Sequence, residues 1–93
     1  MTSARVTILG SGDAFSAGGR FQSSALVQSP EASLLLDCGA TILPALKGLG
    51  ISAERIDQVF LSHIHGDHFA GIPFLFLHFL YIEPRVRPLV VIG

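Results

Sequence analysis

The chain has 93 residues, of which 49% are hydrophobic, and a formal net charge of -1. This balance of charge excludes a broadly basic surface that would bind nucleic acid by bulk attraction. A single cysteine excludes an internal disulfide framework and predicts a reducing, cytoplasmic location. The hydrophobic share is high for so short a chain, so we expect a longer chain or a partner to cover part of it.

The predicted elements begin with strands and continue with strands and helices in alternation. Strands are predicted over residues 5–9, 22–28, 33–37, 58–62 and 89–92, and helices over 41–49 and from 67 or 68 to about 82. Four glycines and two serines make residues 10–21 a loop, and the short turn after the second strand predicts an antiparallel hairpin. This order predicts an α+β fold with a mixed, largely antiparallel sheet and helices packed on it.

The second predicted helix contains the longest apolar stretch, residues 69–82. As a helix it spans only about 21 Å, short of the roughly 30 Å hydrocarbon layer, so we expect no membrane span. Its apolar residues lie nearly all round the helix, which makes residues 69–82 a candidate homodimer contact. Pro73 lies near its first turns and can kink it.

A cluster of potential metal ligands follows the fourth predicted strand: His63, His65, Asp67 and His68. Residues two apart in extended backbone point the same way, so His63 and His65 can converge on one cation. Gly66 allows a sharp turn, after which Asp67 and His68 can reach a second cation. Imidazole and carboxylate suit zinc, manganese or iron, and the absence of thiolates argues against a purely structural zinc site. Solvated surface histidines are the alternative, which so dense a cluster disfavours.

Two neighbouring cations would determine the chemistry of such a site. They can hold a shared hydroxide and bind the oxygens of an ester undergoing displacement. The positive end of a helix beginning at Asp67 would add to the attraction for an anion. The cluster therefore predicts hydrolysis of an anionic ester.

Residues 63–68 resemble the His-x-His-x-Asp-His signature of the metallo-β-lactamase superfamily. The runs TILGSGDAF at 7–15, LLLDCG at 34–39 and GIPFLF at 71–76 are similar to its ribonuclease Z and phosphodiesterase branch. The resemblance implies an αβ/βα sandwich, of which residues 1–93 would be the N-terminal portion of a single domain, with the C-terminal half absent.

The same resemblance implies the roles of individual residues. His63 and His65 would hold one zinc ion, and Asp67 and His68 a second, with manganese or iron as other metals. Asp67 would also be catalytic through proton transfer, and Asp37 would brace the metal loop from behind the ligands.

The implied activity is that of a hydrolase using a metal-bound hydroxide on a phosphodiester or similar anionic ester. With two ligands per metal, the chain alone is predicted to be inactive. After Gly39 the chain continues with Ala-Thr-Ile-Leu, where transfer-RNA-processing members usually have Glu-Gly-Thr-Gln. This favours the wider hydrolase group. The alternative is a non-catalytic metal-binding or interaction module that retains a half-site.

Several other polar residues are better explained by structure than by chemistry. Asp13 is expected to stabilise its loop by local hydrogen bonds, and Cys38 to be buried. His78, among apolar neighbours, is expected to be a hydrogen-bonded core or interface residue. Arg85 and Arg87 flank a breaker-rich segment and are expected to be solvated.

Overall fold

The structure is a computed structural model that describes residues 3–62 and 65–93. Its strands are β1 (Arg5–Gly10), β2 (Ser24–Gln28), β3 (Ser33–Leu36), β4 (Gln58–Phe60) and β5 (Val90–Ile92). Its helices are α1 (Ile42–Gly48), α2 (Gly66–Phe69) and α3 (Ile72–Tyr81), with 3₁₀ turns at Ala17–Gly19 and Ala53–Arg55. The predicted α+β class is confirmed, and each predicted strand is present within one to two residues of its expected ends.

The strands form one mixed sheet in sequence order. β1, β2 and β3 pair antiparallel, and the predicted hairpin places Ala25 opposite Leu36 and Gln28 opposite Ser33. β3 pairs with β4 and β4 with β5 in parallel. Parallel neighbours require a crossover, and the segments containing α1 and α3 provide one each. Antiparallel pairing is thus confined to the first three strands.

The two faces of the sheet differ in what covers them. Leu26, Leu35 and Val59 lie on one face and are fully buried, in one core cluster with helical residues such as Ile42 and Leu75. Alternate positions point to the opposite face. That face keeps apolar side chains that are at least 37% exposed: Val6, Ile8, Leu36, Phe60, Val90 and Ile92. A sheet with apolar residues on both faces has the composition of one covered on both sides.

The prediction of one helix from residue 67 or 68 to about 82 is wrong, because residues 70–71 are not helical and separate α2 from α3. The N–H of Gly71 donates to the carbonyl of Cys38 at 2.9 Å, outside any helix. Pro73, in the first turn of α3, has no N–H to extend the helical ladder back to Phe69. A Cβ on Gly71 would lie 2.2 Å from the carbonyl oxygen of Gly39. The break therefore allows two backbone segments to touch.

The expected solvated loop at Arg85 is also wrong. The Arg85 side chain is only 4% exposed, and its guanidinium lies 5.1 Å from the centre of the Phe79 ring. Its Nη1 donates to the carbonyl oxygen of Glu54 at 3.2 Å. Arg87 pairs with the Glu54 carboxylate at 2.8 Å and contacts Asp57. This network fastens the segment before β5 to the 3₁₀ turn at Ala53–Arg55.

Helix α3 packs one side on the core and exposes the other. Leu75, His78 and Phe79 are buried, and His78 Nε2 lies 3.2 Å from a Glu83 carboxylate oxygen, which confirms the expected hydrogen-bonded interior histidine. The exposed side is apolar: Phe74, Phe76, Leu77, Leu80 and Tyr81. Within the described parts of the chain, each helix is too short or too polar to cross a bilayer.

Candidate metal centre

Asp37 follows β3 directly and is anchored through its backbone. Its N–H donates to the carbonyl of Phe60 at 2.8 Å, and its own carbonyl accepts from the Ser24 hydroxyl at 2.8 Å. Its φ of 64° lies in the left-handed region, which Asp tolerates better than most residues. Contacts from β2 and β4 therefore fix the position of this carboxylate at the end of β3.

The Asp37 carboxylate joins the two sides of the segment that carries the predicted ligands. Its Oδ1 accepts from the backbone N–H of Ser62 at 2.8 Å, and its Oδ2 lies 2.9 Å from His68 Nδ1. Burial opposes ionisation of Asp37, but the hydrogen bonds from Ser62 and His68 outweigh it and hold the pKa below its usual value. The expected contact of Asp37 with the metal loop is confirmed.

His68 has a carboxylate oxygen beside each of its ring nitrogens. Nδ1 faces Asp37, and Nε2 lies 3.2 Å from Asp67 Oδ2. Asp37 can accept an N–H from Nδ1, and a neutral ring with its proton there keeps a lone pair on Nε2, the nitrogen that faces Asp67. Two ligand atoms of a tetrahedral zinc ion lie about 3.4 Å apart. The Asp67–His68 pair therefore fits one edge of a metal coordination sphere, with Asp37 orienting the imidazole from its far side.

The turn after Asp37 holds α2 by direct backbone contact. The N–H of Cys38 donates to the carbonyl of His68 at 2.7 Å, and a Cβ on Gly39 would lie 2.5 Å from the carbonyl oxygen of Asp67. Cys38 is fully buried, as expected. Burial, together with the Asp37 charge, raises the pKa of its thiol to about 12, so it is protonated and poorly suited to act as a nucleophile.

An open cleft of about 570 Å³ adjoins Asp67, lined by Ala14, Gln22, Ala40, His65, Gly66, Asp67 and Ala70. His65 is exposed and shares the cleft with Asp67. His63 lies outside the described residues. Over residues 3–62 and 65–93, no three His, Cys, Asp or Glu side chains are grouped so as to hold an ion. The four-ligand, two-metal assignment therefore stays a prediction, and Asp67 and His68 are in contact.

The expected dipole of a long helix at Asp67 has no counterpart in the structure. α2 begins at Gly66 and ends at Phe69, so it has only four residues. So short a helix aligns few peptide dipoles and supplies little charge at its end. A helix-dipole contribution to anion binding at Asp67 is therefore small.

The glycine loop, defined here as residues 10–22, contributes Ala14 and Gln22 to the lining of the cleft. Sequence reasoning missed the role of Gln22. The Gln22 side chain accepts from the N–H of Ala40 at 2.8 Å and donates to the carbonyl of Ala14 at 3.1 Å. Its backbone N–H donates to the Thr41 hydroxyl at 2.9 Å. Gln22 thus ties the loop to the start of α1. A lone glutamine carries no local sequence signal for such a role.

A second cavity, of about 300 Å³, lies between α1 and α3 and contains none of the predicted ligands. At its polar end Glu83 accepts from the Ser52 hydroxyl at 2.5 Å and pairs with His78. These groups satisfy one another, so this cavity has the character of a structural cleft.

A family model and individual relatives of this chain point to the same protein family. A family model described as "Anti-Pycsar protein Apyc1" matches residues 4–92. The Anti-Pycsar protein Apyc1 of Paenibacillus sp. (strain J14) is 46% identical over 68 residues, which are 73% of this chain and 27% of the relative.

Two solved structures are similar as well. The metallo-β-lactamase fold protein YhfI from Bacillus subtilis superposes with a TM-score of 0.81 at 36% identity, over 96% of this chain and 36% of that one. The short form of human tRNase Z superposes with a TM-score of 0.69 at 36% identity, over 81% of this chain and 28% of that one. The predicted superfamily and ribonuclease Z-like fold are confirmed. The chain spans between 26% and 31% of the length of the curated relatives compared with it, such as those from Saccharibacillus brassicae and Ignicoccus hospitalis.

Proposed function

Because the chain belongs to the Anti-Pycsar protein Apyc1 family and has the metallo-β-lactamase fold, we propose that it is part of a metal-dependent hydrolase. The substrate is a phosphodiester or a similar anionic ester. The observation that carries the proposal is the arrangement around His68, whose Nδ1 is held by Asp37 while Nε2 and Asp67 Oδ2 lie 3.2 Å apart. Oriented ligands of this kind typify catalytic metal sites.

Four residues would hold the metals: His63 and His65 one ion, Asp67 and His68 the other. Zinc suits these ligands, as do manganese and iron. When bound, the ions polarise the ester and acidify water. Asp37 keeps the His68 ring in one orientation throughout. Asp67 has a second carboxylate oxygen, which would take up a proton from the attacking water and return it to the leaving oxygen.

We propose further that residues 1–93 are the N-terminal portion of a single domain. The bare face of the sheet, with Val6, Ile8, Leu36 and Phe60 partly in solvent, is the surface on which the rest of the domain packs. Burial of such side chains contributes roughly 25 cal/mol for each Å² removed from water. The remaining part also completes the metal coordination, since a catalytic zinc takes about three protein ligands.

The exposed side of α3 is a separate surface, which we assign to contact between two copies of the protein. Phe74, Leu80 and Tyr81 are each at least half exposed and lie on a helix whose other side already packs on the core. Leu80→Glu in the full-length protein should shift a dimer to a monomer on size-exclusion chromatography. An unchanged elution volume would contradict this assignment.

The test of the hydrolase compares the full reading frame with the 93-residue chain. With bis(p-nitrophenyl) phosphate, the full protein should release nitrophenol, lose the activity on chelation and regain it with zinc. Asp67→Ala and His68→Ala should abolish turnover, whereas Glu31→Gln, in the exposed turn before β3, should not change it. The short chain should show almost none.

The rival non-catalytic module gives a different result. A full-length protein that binds zinc through these residues but cleaves no phosphodiester or related ester would establish the module and overturn the hydrolase.

A further inference from the structure

We infer that Ser62 is a positioning residue for the metal centre: its hydroxyl holds the Asp37 carboxylate, which in turn orients the His68 imidazole. The inference rests on the proposed function, because the metal centre that Ser62 would serve is the one that function requires. Ser62 would not touch the metals or the substrate, and its effect would pass through Asp37.

Asp37 and Ser62 meet where the parallel strands β3 and β4 end. Leu36 is paired with Phe60, and the N–H of Asp37 donates to the carbonyl of Phe60. The next rung of a parallel ladder would join the N–H of Ser62 to the carbonyl of Asp37. That N–H donates instead to Asp37 Oδ1 at 2.8 Å, while the Asp37 carbonyl accepts from the Ser24 hydroxyl. The carboxylate therefore takes the place of a main-chain acceptor at the end of the sheet.

The hydroxyl of Ser62 adds a contact that its backbone does not supply. Its Oγ lies 3.0 Å from Asp37 Oδ1 and 2.9 Å from Oδ2. A hydroxyl has one hydrogen, which these two oxygens share. The hydrogen bond from the Ser62 N–H to Oδ1 would by itself leave the carboxylate free to tilt about that contact. The hydroxyl restrains Oδ2 as well, so the plane of the carboxylate is held from one residue.

Oδ2 of Asp37 is the atom through which this restraint reaches the ligands. It lies 2.9 Å from His68 Nδ1, and the opposite ring nitrogen, Nε2, lies 3.2 Å from Asp67 Oδ2. Because Ser62 holds Oδ2, the imidazole has an acceptor whose position does not depend on the imidazole itself. The Asp37 side chain is only 14% exposed, so water has little room to replace a lost hydroxyl. The groups behind a histidine ligand determine its orientation and the affinity for the metal.

A purely structural role is the rival explanation, since a hydrogen bond to a carboxylate also stabilises the fold. It predicts a lower free energy of unfolding for a variant without the hydroxyl and no change at the metal. A direct contact of Ser62 with the substrate is not expected, because Ser62 is not among the described residues that line the cleft. Zinc affinity therefore separates the positioning role from the structural one.

The first experiment measures zinc affinity in the full-length protein by competition with a chromophoric chelator. Ser62→Ala keeps the backbone N–H and removes the hydroxyl, and it should weaken zinc binding about three- to tenfold. Ser62→Thr keeps a hydroxyl and should bind zinc more tightly than the similarly shaped Ser62→Val. This second pair preserves the comparison if Ser62→Ala does not fold.

Ser52→Ala is the matched control for the loss of a serine hydroxyl. Ser52 also donates to a carboxylate, that of Glu83, but lies away from the predicted ligands. Urea unfolding of the metal-free protein should show a loss of stability for Ser52→Ala, whereas its zinc affinity should equal that of the unaltered protein.

A double-mutant cycle tests whether Ser62 acts through Asp37. Asparagine tolerates the positive φ at position 37, but its amide gives the N–H of His68 no acceptor at Oδ2. Adding Ser62→Ala to Asp37→Asn should therefore weaken zinc binding little further. Losses of affinity that simply add would mean that Ser62 acts by another route, and would overturn the inference.

The other outcomes are also decisive. Unchanged zinc affinity in Ser62→Ala, or equal affinities in Ser62→Thr and Ser62→Val, would leave Ser62 a structural residue at most and would overturn its positioning role. If the unaltered protein binds zinc but hydrolyses no phosphodiester or related ester, the proposed function fails, and the zinc affinities still decide the role of Ser62.

Discussion

The Nδ1 atom of His68 lies 2.9 Å from Asp37 Oδ2, across 31 positions of sequence. This contact makes the end of a β-strand the support for a side chain at the start of a short helix. It also determines which ring nitrogen of His68 faces Asp67. The metal centre proposed for this family member depends on it.

Asp37→Asn should weaken zinc binding about 10- to 100-fold, because the amide offers a donor where the imidazole N–H needs an acceptor. Competition with a chromophoric chelator measures the affinity in the full-length protein. Asp57→Asn is the matched control, since Asp57 also accepts from a backbone N–H, that of Ser33, but lies away from the ligands. Equal zinc affinities for Asp37→Asn and the unaltered protein would contradict the supporting role of Asp37.

Stability should fall when the metal-free protein is acidified below about pH 4. The hydrogen bond from Ser52, with a further one from His78, lowers the pKa of Glu83, and that from Arg87 lowers the pKa of Asp57. A carboxyl group with a folded-state pKa below its unfolded value contributes stability that is present above the unfolded pKa and lost as pH falls through the folded one. Thermal unfolding from pH 7 to pH 3 measures this.

Glu83→Gln provides the check on that prediction. Glutamine does not titrate at this position. The variant should therefore melt at a lower temperature than the unaltered protein at pH 7, and its melting temperature should fall less steeply towards pH 3. If the melting temperatures of both proteins fell equally steeply with decreasing pH, Glu83 would be excluded as a contributor to the loss of stability in acid.

Gly71→Ala should destabilise the protein by about 1–3 kcal/mol, because its Cβ would lie 2.2 Å from the carbonyl oxygen of Gly39. Gly48→Ala is the matched control, since nothing lies within 4 Å of its Cβ position in α1. It should be neutral or stabilise by roughly 0.5–1 kcal/mol. Urea unfolding measures both. Similar values for the two variants would mean that the contact between residues 39 and 71 is not tight.

The sequence predicted the sheet well because its signals are local. Apolar runs ended by glycine, proline or polar residues marked each strand, and the short turn before Ser33 implied the hairpin with β2. The dense cluster from His63 to His68 likewise stood out by proximity alone.

The features that sequence reasoning missed depend on contacts between distant residues. Pro73 indicated a kink near the break between α2 and α3, but the contacts of Gly71 with Cys38 and Gly39 have no signal within residues 66–82. Gln22 acquires its role only when Ala40 and Ala14 are brought beside it.

The buried Arg85 is a further example, with a measurable consequence. Its guanidinium meets Phe79, Glu54 and the carbonyl of Arg87 only in the folded chain. Arg85→Ala should cost roughly 2 kcal/mol of unfolding free energy, because the part-buried Glu54 carbonyl loses a charged donor and the Phe79 ring loses its cation. Arg87→Ala, at a side chain 42% exposed, should cost clearly less in the same urea titration. A larger loss of unfolding free energy in Arg87→Ala than in Arg85→Ala would assign the structural role to Arg87.

The most direct test of the central claim is anomalous diffraction at the zinc edge from crystals of the zinc-loaded, full-length protein. We predict a peak about 2.0–2.2 Å from both His68 Nε2 and Asp67 Oδ2, with His68 Nδ1 still on Asp37, and a second peak beside His65. Density for zinc at other residues, or a His68 ring turned away from Asp37 with no ion at Nε2, would contradict the account.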